Sequence, residues 1–309
     1  MTEALISTKL FIPATRPERV SRPRLIEKLN NGFHHKLTLV SAPAGFGKTT
    51  IVSEWIKLSG QPAAWLSLDE KDNDPTRFLR YLLAALDRAD GAKINFPADL
   101  IELIQSHQTP PTESILTSVI NQIAQSSETI LLVLDDYHLI DSPSIHDALD
   151  FLQENAPPQL HLIIATREDP LLPLAKLRAR DQLTELRAAD LRFSYEEAAQ
   201  FFNQVMRLNL KPEDIASLEN RTEGWIAGLQ LAAISLQGKS DTAGLIQSFT
   251  GSNRHVMDYL LEDVLNQQPK EIQTFLLQQP FVQSLLKPIL VDRMLPMLRL
   301  TRGIYLQFL

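Results

Sequence analysis

A chain of 309 residues without cysteine can form no disulfide, thiolate metal site or cysteine nucleophile. Its net charge of −7 speaks against a broad non-specific nucleic-acid surface, and its 44% hydrophobic content includes no apolar run near the ~18 residues of a membrane span. Length and composition predict a soluble globular protein of about two domains; an N-terminus without a basic stretch followed by an apolar one predicts no secretory signal, and the lack of cysteine fits a reducing cytoplasm.

Residues 1–36 read as a lead-in, with a short amphipathic helix from Arg24 to Asn30 stopped by Asn31-Gly32. Arg16, Arg19, Arg22 and Arg24 invite a nucleic-acid reading, but prolines and Glu18 interrupt them and no aromatic platform accompanies them. Strands are expected at 37–41, 63–68, 129–135 and 160–166, and helices near 49–58, 75–88, 112–126 and 144–154. This alternation predicts a parallel sheet with helices on both faces, and the unbroken apolar run Ile130-Leu131-Leu132-Val133-Leu134 fits a strand buried on both. Past residue 193 the pattern turns helical. Ser194 and Glu197 form a capping box opening a helix through Val205; further helices follow Pro212, span Trp225 to Leu236, and carry Met257, Leu260, Leu261 and Val264. Leu245-Ile246 could close another short helix in the loop-like stretch 238–252.

The first strand runs into Ala42-Pro43-Ala44-Gly45-Phe46-Gly47-Lys48-Thr49, a phosphate-binding loop with alanine where its first glycine is usual. In such a loop backbone amides wrap phosphates, Lys48 reaches the outer ones and the Thr49 hydroxyl ligates Mg²⁺; the helix that follows aims its positive end at them. Gly45 can supply the missing flexibility. The acidic half of an ATP site lies at the end of the buried strand, where Asp135 would hold Mg²⁺ and Asp136 would orient or deprotonate the attacking water. Arg167 follows the next strand, at the edge where ligands bind in such sheets, and can reach a γ-phosphate; Thr166 is a second candidate. The alternative for Arg167 is a surface pair with Glu168 or Asp169. His138 either touches this site or is a hydrogen-bonded structural histidine. Leu177 to Gln182 concentrates charge, as a functional segment or a solvated helix end.

APAGFGKTT, AWLSLDEKDNDPTRFLRYLLAAL, LLVLDDYHLI, LRARDQLTEL, GWIAGLQLAA and RHVMDYLLEDVL, in that order, resemble the N-terminal region of the large ATP-binding LuxR-type transcriptional regulators, the MalT-like family within the STAND class of signalling ATPases. The resemblance runs from about Thr8 to Leu277. It implies an α/β P-loop NTPase domain at 37–192, a helical domain at 193–252 and a winged-helix region at 253–309, incomplete here. It further implies an ADP-held resting form and an ATP form that associates with itself, with slow hydrolysis between them. Nucleotide contacts carried over are Ala44, Gly45, Phe46, Gly47, Lys48, Thr49 and Thr50 from the loop, then Arg178 and Arg180 (with Asp181) from the L-R-x-R-D-Q segment. Gln230 joins them from an element that has proline at that place in related STAND proteins. The stretch Val20 to Arg24 is a further source of adenine contacts. Thr49 and Asp135 would hold Mg²⁺, while Lys48, Asp136 and Arg167 would carry the chemistry. No sensor repeat or helix-turn-helix is located before Leu309, so DNA binding is not expected of this chain alone. The competing readings are a P-loop phosphotransferase and a nucleotide-binding interaction module that has lost hydrolysis.

Overall fold

The computed structural model describes residues 4–15, 18–89 and 111–239, with the single positions 96, 244 and 246. The chain divides into two compact units at Arg192/Phe193. The first is built on five parallel strands: β1 (Leu37–Ser41), β2 (Ala63–Ser67), β3 (Ile130–Asp135), β4 (Leu160–Thr166) and β5 (Leu183–Arg187), in the spatial order β2-β3-β4-β1-β5. Between and before them run α1 (Pro23–Asn31), α2 (Lys48–Ser59), α3 (Pro75–Asp87), α4 (Thr112–Ile123), α5 (Pro143–Glu154) and α6 (Leu174–Ala179), and α7 (Ala188–Leu191) follows β5.

Period-two side-chain alternation separates two cores. Leu37, Leu39, Leu132, Leu134, Leu162 and Ile164 face α3, α4 and α5, whereas Val40, Leu131, Val133, Ile163 and Ala165 face α1 and α2 around Trp55 and Trp65. Each such side chain contributes roughly 1.5–3 kcal/mol by leaving water, which accounts for strands that read as continuous apolar runs. The expected strands and helices of this unit are present to within a few residues. β5 was not anticipated: Leu183-Thr184-Glu185-Leu186-Arg187 is short, alternates, and carries two charges because it closes the sheet on one side only. Gly32 after α1 takes an ordinary φ of −88°; its reason is space, since a Cβ there would lie 1.7 Å from Thr184 Oγ1.

The lead-in is tied down by its basic residues. Arg22 Nη2 and Arg24 Nη2 each donate to Arg192 O at 2.7 Å, Arg24 Nη1 donates to Asp190 O at 2.6 Å, and Arg19 pairs with the buried Glu54 at 3.0 Å. These arginines therefore serve the fold. At the opposite side of the sheet, a 3-10 turn (Ser7–Leu10) packs beside β2, with Lys9 bonded to the fully buried Asp72.

In the second unit the capping box forms, with Glu197 N–H donating to Ser194 Oγ at 3.3 Å and Ser194 N–H to Glu197 Oε2 at 3.1 Å, opening α8 (Tyr195–Gln200). The helix expected to continue to Val205 widens at Phe201–Val205 into a π turn. Both adjacent rings, Phe201 and Phe202, are buried there, and Phe201 stacks edge-on against Phe193 at 6.1 Å. α9 (Pro212–Thr222) and α10 (Ile226–Leu236) follow. The expected winged-helix region, the helix carrying Met257 and the closure near Leu245 lie outside the described residues. Among the described residues no helix is long and apolar enough to cross a membrane.

Candidate phosphate-binding site

Register places the last residues of three strands side by side: Ser41 of β1 pairs with Thr166 of β4 and with Arg187 of β5. Ala42 extends this ladder by one bond, N–H to Thr166 O at 3.2 Å, and its methyl is buried against the Trp55 core. That explains alanine at the first loop position, which still belongs to the sheet. The loop bends at Gly45 and Gly47, both at φ +76°, where any other residue would pay roughly 1–2 kcal/mol. Gly47 is the N-cap of α2, so the amides of the first helical turn open toward the loop's concave side. Lys48 is buried, and its Nζ donates to Ala42 O at 2.8 Å and Pro43 O at 3.1 Å. Burial pulls this ammonium below its ordinary range; Arg167 adds to that while Asp136 and Asp135 oppose it.

Strand β4 lies between β1 and β3, yet the loop and the acidic strand end meet across it. Thr49 Oγ1 stands 3.1 and 3.0 Å from the two oxygens of Asp135, which is 3% exposed. Burial, and then the neighbouring Asp136, push the Asp135 carboxyl up to about 6, against the Thr49 hydroxyl, the Asp136 N–H and Lys48. A carboxylate this reluctant to hold charge is one that a cation would relieve. One hydroxyl and one carboxylate form the hard-oxygen set through which Mg²⁺ is held when substrate phosphates supply further oxygens, so the residues present fit that ion.

Asp136 adopts a left-handed conformation (φ +57°), a bend that aspartate tolerates better than most residues, and starts a 3-10 turn, Tyr137–Leu139. Asn73, just before α3, clamps that turn. Its Nδ2 donates to Leu139 O at 2.8 Å, and its Oδ1 accepts from Asp141 N and Ser142 N at 2.7 and 2.9 Å. Thr166, the second sequence candidate at β4, spends its hydroxyl on Glu168 O at 2.9 Å. Arg167 follows the last residue of β4 directly, and its charge adds to the burial that depresses Lys48 and His138. Asp169 is engaged by the Arg187 guanidinium, and by the Ser41 hydroxyl.

Ala44, Gly45, Phe46, Gly47, Lys48, Thr49, Asp135, Asp136 and Arg167 are thus gathered at the carboxyl edge of the sheet, with Thr50 exposed on the first turn of α2. Arg178 and Arg180 do not join them there. Arg178 makes a double hydrogen bond, both 2.8 Å, to Glu185 in the middle of β5, pulling that carboxyl down to about 2. Arg180 caps the end of α6, near the start of β5, whose Leu183 aligns with Leu37 at the sheet's amino edge. Gln230 lies on α10 in the second unit, its Nε2 4.0 Å from Met206 Sδ. Arg187 and Asn73 were missed as site neighbours. Only the β5 register reveals the first, and Asn73 carried no more signal than an Asn-Asp-Pro helix start.

Sheet order, loop and acidic strand end define the class, a P-loop NTPase fold. A family model described as AAA ATPase domain matches residues 21–165. The HTH-type transcriptional regulator MalT of Klebsiella pneumoniae subsp. pneumoniae is 35% identical over 289 residues, covering 93% of this chain, and that of Serratia proteamaculans is 36% identical over the same length. The chain spans about a third (32%) of the length of these curated relatives. Its fold is shared with a STAND protein with a tetratricopeptide repeat sensor from Pyrococcus horikoshii, at a TM-score of 0.53 and 17% identity, over 85% of this chain and 39% of that one. The chain is thus similar in sequence to about a third of the length of MalT regulators, and in fold to a STAND protein.

Proposed function

We propose that this chain is the nucleotide-controlled switch module of a MalT-like, LuxR-type transcriptional regulator, holding ATP or ADP with Mg²⁺ and associating with itself in the ATP form. The observation that supports it is the contact of Thr49 with both oxygens of Asp135, which brings loop and acidic strand end together where a cation would be held. When bound there, Mg²⁺ would offset phosphate charge. Lys48, on leaving the Ala42 and Pro43 carbonyls, would take the outer phosphates, and Arg167 would add a charge-assisted bond to a γ-phosphate. Asp136 would accept the proton of a water whose oxygen bonds to the γ-phosphorus as the bond to the bridging oxygen breaks and ADP leaves with its electrons.

Inverting a resting population from 99:1 requires about 10⁴-fold preference for one state, ~5.5 kcal/mol, a load that Lys48, the cation and Arg167 could share. The domain boundaries 37–192, 193–252 and 253–309, and the nucleotide contacts of Arg178, Arg180 and Gln230, belong to this reading. The test is to purify the chain, identify its retained nucleotide, and measure its mass in solution with ADP and with a non-hydrolysable ATP analogue. A larger mass with the analogue is expected; an identical mass in both would leave a nucleotide-binding fold without the switch.

A further inference from the structure

His138 lies three residues beyond Asp135, on the 3-10 turn that Asn73 clamps. Its side chain is only 10% exposed, and Nδ1 is buried without a hydrogen-bond partner among the described residues. A ring nitrogen left unmet inside a protein carries its desolvation cost uncompensated, and one that persists beside a ligand site points to a partner gained in another state. Asp136 Oδ1 stands 4.0 Å away, about 1 Å beyond hydrogen-bonding range. The two sides of that gap differ in exposure. The turn is fixed by Asn73 and by Tyr137, which is buried with its Oη 2.6 Å from His146 Nδ1, whereas the Asp136 side chain is 46% exposed.

Burial, with the charges of Arg167 and Lys48, holds the imidazole down to about 4, so at neutral pH the ring is uncharged. An uncharged ring donates from one nitrogen and is no counter-ion to aspartate. Direction, rather than charge, is what it can impose on the carboxylate.

We propose that His138 is a positioning residue for hydrolysis: with nucleotide bound, its Nδ1–H donates to the Asp136 carboxylate and turns one oxygen toward the attacking water. This rests on the hydrolytic reading above. The same bond relieves the buried nitrogen, so the site is better satisfied loaded than in the arrangement described here.

Asparagine places its amide nitrogen near the position of Nδ1, and glutamine near that of Nε2. In the full chain, single-turnover hydrolysis of Mg²⁺-ATP should slow about tenfold or more in His138→Ala and His138→Gln and stay within about threefold in His138→Asn, with nucleotide affinity unchanged in all three. Retention by glutamine with loss by asparagine would overturn the assignment, as would affinity falling in step with rate. Asp136→Asn is run in parallel. Should it match the unmodified chain, the hydrolytic reading fails by itself. Nitrogen-15 NMR of the chain with Mg²⁺ and a non-hydrolysable analogue then decides the contact: an Nδ1–H tautomer that disappears in Asp136→Ala supports it, and an Nε2–H tautomer rejects it.

Discussion

The two ends of the sheet bury polar groups with opposite outcomes. At the amino end, His161 is 1% exposed and both ring nitrogens are engaged: Nδ1–H donates to His35 O at 2.8 Å, and Nε2 accepts from Thr38 Oγ1 at 2.8 Å. Phe33 stacks on the ring at 5.7 Å, and His35 in turn meets Thr184 Oγ1 at 2.8 Å. At the carboxyl end, Asp135 is as deeply buried but is pushed up to about 6, Lys48 is pulled down, and His138 Nδ1 goes unmet. The first set of groups is closed by the fold. The second is held in reserve, with charge and bonding capacity that a phosphate and a cation would complete, which is how a binding site differs from a structural network of equal burial.

Substitutions should separate the two ends. The largest effect is expected for Asp136→Asn, which should lower turnover by roughly 10²- to 10⁴-fold with little change in unfolding midpoint, as read by single-turnover assay and urea denaturation. A comparable loss of stability would put Asp136 among the structural groups instead.

Next comes a pH effect that His161 at the amino end shares with His138 at the carboxyl end, each held down to about 4. Burial holds His161 down to about 4 against an ordinary 6.5, so between those values the unfolded chain binds a proton that the folded chain refuses. Its contribution is complete above pH 6.5 and is lost as pH falls toward 4, by ~3 kcal/mol. Denaturation midpoints measured across that range should fall less steeply in His161→Gln, with part of the remaining slope owed to His138, and a slope unchanged by the substitution would remove His161 from the acid sensitivity.

Gly32→Ala should cost about 1–3 kcal/mol by forcing its new methyl against Thr184, without altering nucleotide affinity. A shift in affinity would show that the ends are coupled through β5. Smallest of all, Lys176→Ala, which breaks an exposed pair with Glu154, should leave the midpoint and its salt dependence unchanged.

Residue pattern alone located β1 to β4 and the helices between them, because those strands are buried on both faces and the helices carry one apolar stripe. β5 escaped notice, since a five-residue strand bearing Glu185 and Arg187 looks like loop until its neighbour is known. The π turn at Phe201–Val205, where Phe201 and Phe202 pack edge-on, was equally hidden. In the site, Lys48, Thr49 and Asp135 were legible because a phosphate loop and an acidic strand end each have a local signature. Arg167 was legible as a position only, and Arg178 read as a site residue although its partner here is Glu185.

The sequence by itself therefore determined the groups on offer: a glycine-bent loop at a helix start, a hydroxyl and a carboxylate that fit a cation, a second carboxylate next to the first, and a helical unit later in the chain. Those are properties of short segments, set by glycine conformations and side-chain type. Only the tertiary structure decided which groups meet, since β4 separates β1 from β3 and the Thr49 to Asp135 contact depends on the three strands ending within about one residue of each other. It also decided which buried groups are satisfied. Satisfaction is a property of neighbours in space, and that is why His161 and His138, two histidines of one chain, stand on opposite sides of the line between scaffold and site.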